Sequence, residues 1–164
     1  MGFMSMLFSF SGRINRAKWW LSILIIVVIY MVVVVLSLII PSALVVSLLY
    51  IAFVIAYLWI ALAAGAKRLH DLGRTGAWLV FFIGVPVLLF VVFIALVGMS
   101  AGLALIGGGA SEAEMAEAFA QTGGLGLIMG VLNLAVWIWA LVWFGCLRGT
   151  AGPNQYGPDP LAAV

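Results

Sequence analysis

Charge is scarce in this chain. Seven Lys and Arg, five Asp and Glu and one histidine are spread over 164 residues, so that 7% of the chain is charged, where a soluble domain averages about 25%. So little charge excludes a separate soluble domain beside the apolar runs described below. The formal charge of +2 is too small to mark a nucleic-acid footprint, and no nucleic-acid partner is expected. The one cysteine, Cys146, excludes an internal disulfide and any all-cysteine metal site, and reads as a small apolar residue. The one histidine, His70, has no second His or Cys beside it to complete a metal site. No catalytic residue, metal or cofactor is therefore expected, and the chain is not expected to be an enzyme.

Apolar residues make up 67% of the sequence, and most of them fall in four long runs. The runs are about 19–40, 43–66, 77–100 and 125–147, with Pro41-Ser42 closing the first. A span needs roughly 20 apolar residues. The runs are continuously apolar, without the strict alternation of a barrel strand. In lipid the backbone must satisfy its own hydrogen bonds, so each run is predicted to be a helix. The fold class is all-α: a polytopic membrane protein, a bundle of four transmembrane helices forming one domain over 1–164. The third run continues apolar to Ile106, roughly 45 Å as a straight helix. It is expected to tilt, or to leave the membrane near Gly98–Gly102, and Pro86 is expected to bend it. The first run is too long for a signal-peptide core and is not followed by a small-residue cleavage site. Ahead of it, Phe3, Leu7, Phe8 and Phe10 are expected to lie in the lipid interface.

Every Lys and Arg falls on one side of these spans. Arg13, Arg16 and Lys18 precede the first, Lys67, Arg68 and Arg74 lie in the loop 67–76, and Arg148 opens the tail 148–164. The other two connections contain neither residue, so both termini and the middle loop are predicted to be cytoplasmic, N-in and C-in. Trp19, Trp20, Trp78 and Trp143 sit near span ends as interfacial anchors. The outer loop 107–124 carries the three glutamates, Glu112, Glu114 and Glu117. Ser111 with Glu114 forms a capping box there and predicts a short helix.

Several motifs compete for a functional reading. Gly98-Met99-Ser100-Ala101-Gly102 fits the hydrolase pattern G-x-S-x-G, but that motif requires a strand-to-helix elbow, and His70 lies on the opposite membrane face. The same residues read better as a G-x-x-x-G packing pair, Gly98 and Gly102. Gly126 and Gly130 form a second such pair, and Ala61 with Gly65 a small-xxx-small pair. Packing within the bundle is the expected role, with self-association or a membrane-protein partner the alternative. Asn133 lies mid-span, where an unpaired amide is costly, and is expected to hydrogen-bond between helices. No charged residue lies inside a span, which argues against an ion-coupled transporter. The loop Lys67–Gly76 is dense in polar groups. Gly73 and Gly76 are expected to supply positive φ for its reversal, and Asp71 to pair with a neighbouring cation.

Three blocks carry a resemblance. Phe10-Ser11-Gly12-Arg13-Ile14-Asn15-Arg16 with Trp19-Trp20, then Arg68-Leu69-His70-Asp71-Leu72-Gly73-Arg74-Thr75-Gly76, then Asn154-Gln155-Tyr156-Gly157-Pro158-Asp159-Pro160 resemble the bacterial inner-membrane family called domain of unknown function 805 (YhaH-like proteins). The blocks occur in the family's order over nearly the whole chain. The acidic outer loop is not part of that pattern. The resemblance implies a bacterial inner-membrane protein and implies no reaction.

With the predicted topology, all three blocks meet the cytoplasm. Arg13, Arg16, Arg68, His70, Asp71, Arg74, Asn154, Tyr156 and Asp159 are the candidate site for an anionic headgroup or partner. Their cationic excess suits a phosphate-bearing lipid, because Arg presents a planar fork of donors. It equally suits a structural ion-pair network. The expected role is a structural or interaction protein in contact with membrane lipids. A small transporter or channel and a lipid-modifying enzyme using His70 and Asp71 are the alternatives.

Overall fold

A computed structural model describes residues 2–106 and 111–162; the side-chain surroundings of 99–106 and of 112, 114, 115, 118, 119 and 121 lie outside that description. Among the described residues the chain is helical and has no strand. The helices are α1 (Phe3–Phe8), α2 (Arg16–Ile39), α3 (Ala43–Asp71), α4 (Trp78–Ile106) and α5 (Glu112–Leu141), the last running into a π-helical turn, Val142–Cys146. Each of α2 to α5 contains a stretch long and apolar enough to cross a membrane. Their large side chains point outward: Leu38 is 81% exposed, Val80 75% and Leu127 74%. That surface suits hydrocarbon, where the helix backbone has already satisfied its own polar groups.

The helix ends differ from the apolar runs for local reasons. The first begins at Arg16, ahead of the apolar run, because Asn15 caps it: the Asn15 Oδ1 accepts from the Lys18 N–H at 2.9 Å, satisfying one of the orphan donors of the first turn. α3 extends past its apolar run through Lys67 and Arg68 to Asp71. The helix predicted from Ser111 is present but runs unbroken into the fourth span through Gly123 and Gly124; the side chain of Glu114, the other half of its capping box, lies outside the described residues. Pro86 sits inside α4 without ending it.

The chain divides into two compact units, one formed by Met1–Leu79 with Leu141–Val164 and the other by Val80–Ala140. In the second, Asn133 Nδ2 donates to the Pro86 carbonyl at 3.3 Å, the interhelical bond expected of a mid-span amide. Phe81, Phe82 and Trp139 meet edge to face. A Cβ at Gly126 would lie 2.9 Å from the Phe93 ring, whereas at Gly98 or Gly130 it would meet no described atom within 4 Å. The close approach is thus made by Gly126 and not by its partner Gly130. The surroundings of Gly102 lie outside the described residues.

The first unit packs α1 and α2 on α3. Met6, Leu7, Ile14, Ile60 and Ala64 form its apolar core, with Trp19, Ile25 and Ile26 against it. Leu7 is therefore turned into the protein rather than into lipid, while Phe3, Phe8 and Phe10 stay exposed. A six-residue helix is too short to persist alone, and α3 holds this one. Lys67 Nζ donates to the Ser5 carbonyl at 2.8 Å and also to that of Met6, and Trp59 Nε1 donates to the Phe8 carbonyl at 3.2 Å. The ammonium thus meets the carbonyl end of the α1 dipole. Gly65 is buried, and a Cβ there would lie 2.7 Å from Leu79 Cδ2; Ala61, one turn earlier, is half-buried.

Candidate functional site

The most completely buried side chains of the described protein include Arg68, Lys67 and Asp71. In so apolar a chain this inverts the usual order of burial. All seven Lys and Arg lie in the first unit, and the structure sorts them.

Asp71, at the end of α3, sits between two guanidiniums. Its Oδ1 accepts from Arg13 Nε at 3.2 Å and from Arg13 Nη2 at 3.1 Å, and its Oδ2 accepts from Arg68 Nη1. Arg13 reaches it from the segment before α2, and Arg68 from one turn earlier on the same helix. The remaining donors of both arginines go to backbone carbonyls. Arg13 Nη2 donates to Thr150 at 2.6 Å, and its Nη1 to Gly152 at 2.7 Å and Gly157 at 3.3 Å. Arg68 Nε donates to Phe144 at 2.8 Å, and its Nη2 to Leu147. Among the described residues no buried side-chain polar atom lacks a partner. A buried ion pair is tolerable only when its remaining hydrogen-bonding capacity is filled in this way. The arrangement commits Arg13 and Arg68, both expected at an anion site, to partners within the protein.

The π-helical turn explains why arginines gather here. The last carbonyls of a helix have no intrahelical partner and carry the negative end of the dipole. Phe144 and Leu147 give theirs to Arg68, Gly145 accepts from Trp20 Nε1 at 3.3 Å, and Cys146 accepts from Arg16 Nη1 at 3.0 Å. Side chains from α2 and α3 thus cap the end of the fourth span. Trp19 stacks on Phe144.

The tail closes over this cluster. Thr150 donates to the Asp71 carbonyl twice, from its N–H at 2.8 Å and from Oγ1 at 3.0 Å. Asn154 Nδ2 donates to the His70 carbonyl at 2.9 Å. The Tyr156 ring lies on His70, centroids 4.0 Å apart and planes within 6°, and the His70 Nδ1 is 3.2 Å from the Gly12 carbonyl. Arg74 stays exposed, its Cζ 5.7 Å from the Trp143 ring centroid. The loop after α3 reverses at Gly73, with φ +70°, where a side chain would be strained. Gly76 is not among the positive-φ glycines, so the expectation of two such positions is corrected to one. The nine candidate residues are all in the same unit, as Arg13–Asp71–Arg68, His70–Tyr156–Asn154, Arg16 on the π turn, Arg74 on Trp143, and Asp159 in the tail.

A family model described as a protein of unknown function (DUF805) matches residues 7–158, a range that contains every residue of this cluster except Asp159. The chain belongs to the DUF805 family. This DUF805 chain is similar to two curated proteins, each called inner membrane protein YhaI, from Escherichia coli strain K12 and from Escherichia coli O157:H7. Each is 28% identical over 152 residues, which is 92% of this chain and 85% of the relative. No solved structure matches. With four membrane-crossing helices and these relatives, the DUF805 chain is a multi-pass protein of the bacterial inner membrane.

Three participants were not legible in the sequence. Gly149, whose Cα faces the Asp71 carboxylate, and Thr150 lie outside the three blocks of polar residues, and the only hint of them is their place just after the last span. Lys67 reads in the sequence as a topological charge; that its ammonium, carried on α3, meets the end of α1 is a tertiary fact.

Asp159 organises the tail itself. Its Oδ1 accepts from the Leu161 N–H at 2.9 Å and its Oδ2 from the Gly152 N–H at 3.0 Å. The Leu161 amide first, then the Gly152 amide, hold its carboxyl below the ordinary value of 3.8. A depressed carboxyl stabilises the tail at pH above its ordinary value and ceases to do so as pH falls through its own lower one. Pepsin cleavage between residues 150 and 162 should therefore stay slow at pH above the ordinary carboxyl value of 3.8 and accelerate as pH falls below it. Asp159→Asn should make the tail protease-sensitive already at pH 7. An unchanged cleavage pattern in that variant would remove Asp159 from this role.

Proposed function

We propose that this is a non-enzymatic interaction protein of the inner membrane that holds anionic phospholipid at its cytoplasmic surface. The supporting observation is the sorting of the cations. Arg13, Lys67 and Arg68 are buried with each donor nitrogen bonded to protein, while Arg16, Arg74 and Arg148 are exposed and Lys18 is half-exposed. The first group organises the unit; the second is left to meet the leaflet. A basic group near an anionic leaflet contributes about 1 kcal/mol. The positive-inside distribution assigns this face to the cytoplasm.

Orientation and lipid are tested together. In a Cys146→Ser background, Thr75→Cys and Gln155→Cys should resist an impermeant thiol reagent in intact spheroplasts, and Gln121→Cys should react. Native mass spectrometry of the purified protein should show acidic phospholipid retained over zwitterionic lipid. Gln substitutions at Arg16, Lys18, Arg74 and Arg148 should each reduce that preference. The reverse labelling pattern, or equal retention of both lipid classes, would refute the proposal.

A further inference from the structure

A cavity of about 270 Å³ opens beside the buried cluster, lined by Asn15, Arg16 and Ala17 of the first turn of α2, by Arg148 to Ala151 of the tail, and by Asp159 and Leu161, with Arg68 and Asp71 at its buried end. We infer that this cavity is a binding site for a phosphate monoester, clamped between Arg16 and Arg148.

The charge around the cavity points to an anion. Asp71 is already shared by Arg13 and Arg68. Asp159 has both oxygens engaged by backbone N–H groups. Arg16 commits only Nη1, to the Cys146 carbonyl, and Arg148 makes no hydrogen bond or ion pair among the described residues. Four guanidiniums (Arg13, Arg16, Arg68, Arg148) against two carboxylates leave two positive charges in excess. That excess matches a phosphate monoester, which carries nearly two negative charges near neutral pH, better than a diester, which carries one. Arginine forks suit phosphate oxygens geometrically. The cavity falls just below the range of pockets for drug-sized ligands, so it fits a headgroup-sized molecule. Trp19 and Trp20, immediately beyond this wall, set it at the depth of the lipid headgroups. The monoester is then either the headgroup of a lipid such as phosphatidic acid or a soluble phosphate drawn from the cytoplasm.

The inference rests on the cationic-surface reading above and adds to it a discrete site with a preference among anions. The test uses the full chain in nanodiscs of phosphatidylcholine doped with phosphatidic acid or with phosphatidylglycerol, and in undoped discs titrated with inorganic phosphate. Phosphatidic acid should be retained about tenfold over phosphatidylglycerol. Arg16→Gln and Arg148→Gln should each lower its retention by about tenfold, the worth of a charge-assisted hydrogen bond, with Arg16→Lys intermediate. Lys18→Gln and Arg74→Gln, outside the cavity, should weaken both acidic lipids alike and leave the preference for phosphatidic acid over phosphatidylglycerol within about twofold. Arg148 is exposed and makes no hydrogen bond or ion pair among the described residues, so its variant should unfold near the wild-type temperature. A rise in unfolding temperature with inorganic phosphate in undoped discs would assign the site to a soluble ligand; retention of phosphatidic acid without that rise would assign it to the lipid. Equal losses from all four substitutions, or equal retention of the two acidic lipids with no rise in unfolding temperature on adding phosphate, would overturn the cavity and leave the surface reading standing. Retention of neither acidic lipid over phosphatidylcholine, again with no rise in unfolding temperature on adding phosphate, would overturn both.

Discussion

Asp71→Ala should cost about 3–5 kcal/mol of stability, the usual penalty for removing one partner of a buried ion pair. Two cations depend on this one carboxylate. Without it, Arg13 and Arg68, 5% and 0% exposed, face each other with no counter-charge between them. Their remaining bonds to backbone carbonyls cannot neutralise a second positive charge. Asp71→Asn should be nearly as damaging, since an amide keeps one acceptor oxygen and no charge. Asp159→Asn, on an exposed tail, should cost far less. Unfolding in detergent, followed by tryptophan fluorescence, separates these outcomes. A loss for Asp71→Ala no larger than for Asp159→Asn would show that the pair is incidental to folding.

Gly149→Ala should be the second severe change. A Cβ at Gly149 would lie 2.1 Å from Asp71 Oδ2 and 2.5 Å from its Cγ. The carboxylate cannot retreat, because Arg13 holds one oxygen and Arg68 the other. Overpacking a filled interior costs about 1–3 kcal/mol, and the figure rises toward that of the broken pair if the tail lifts away. The mechanism predicts a specific non-additivity. In an Asp71→Ala background the obstructing atoms are gone, so Gly149→Ala should cost less than about 1 kcal/mol there. Additive losses in the double variant would rule out the steric account.

Much of this protein was legible in its sequence because lipid imposes so few solutions. Continuous apolar runs of span length can only be helices, and the one-sided Lys and Arg order the loops whatever the helices touch. Asn133 was legible for the same reason, since a mid-span amide must find an acceptor, and Asp71 among cations was bound to pair. Which cations would be buried was not legible. Arg13, Arg16, Lys67 and Arg68 look alike as residues flanking spans, yet Arg16 stays exposed while Arg68 is sealed. That difference depends on carbonyls far along the chain: the Arg68 acceptor at Phe144 is 76 residues away, and Asp71 is 58 residues from Arg13. The sequence by itself determined the class of fold, the membrane and the side on which charge gathers, because those follow from hydropathy and local pattern. Only the tertiary structure decided that the fourth span ends in a π turn whose open carbonyls draw in Arg68, Trp20 and Arg16, and that Gly149 must have no side chain. Those outcomes are set by which backbone groups remain unsatisfied once the helices have docked.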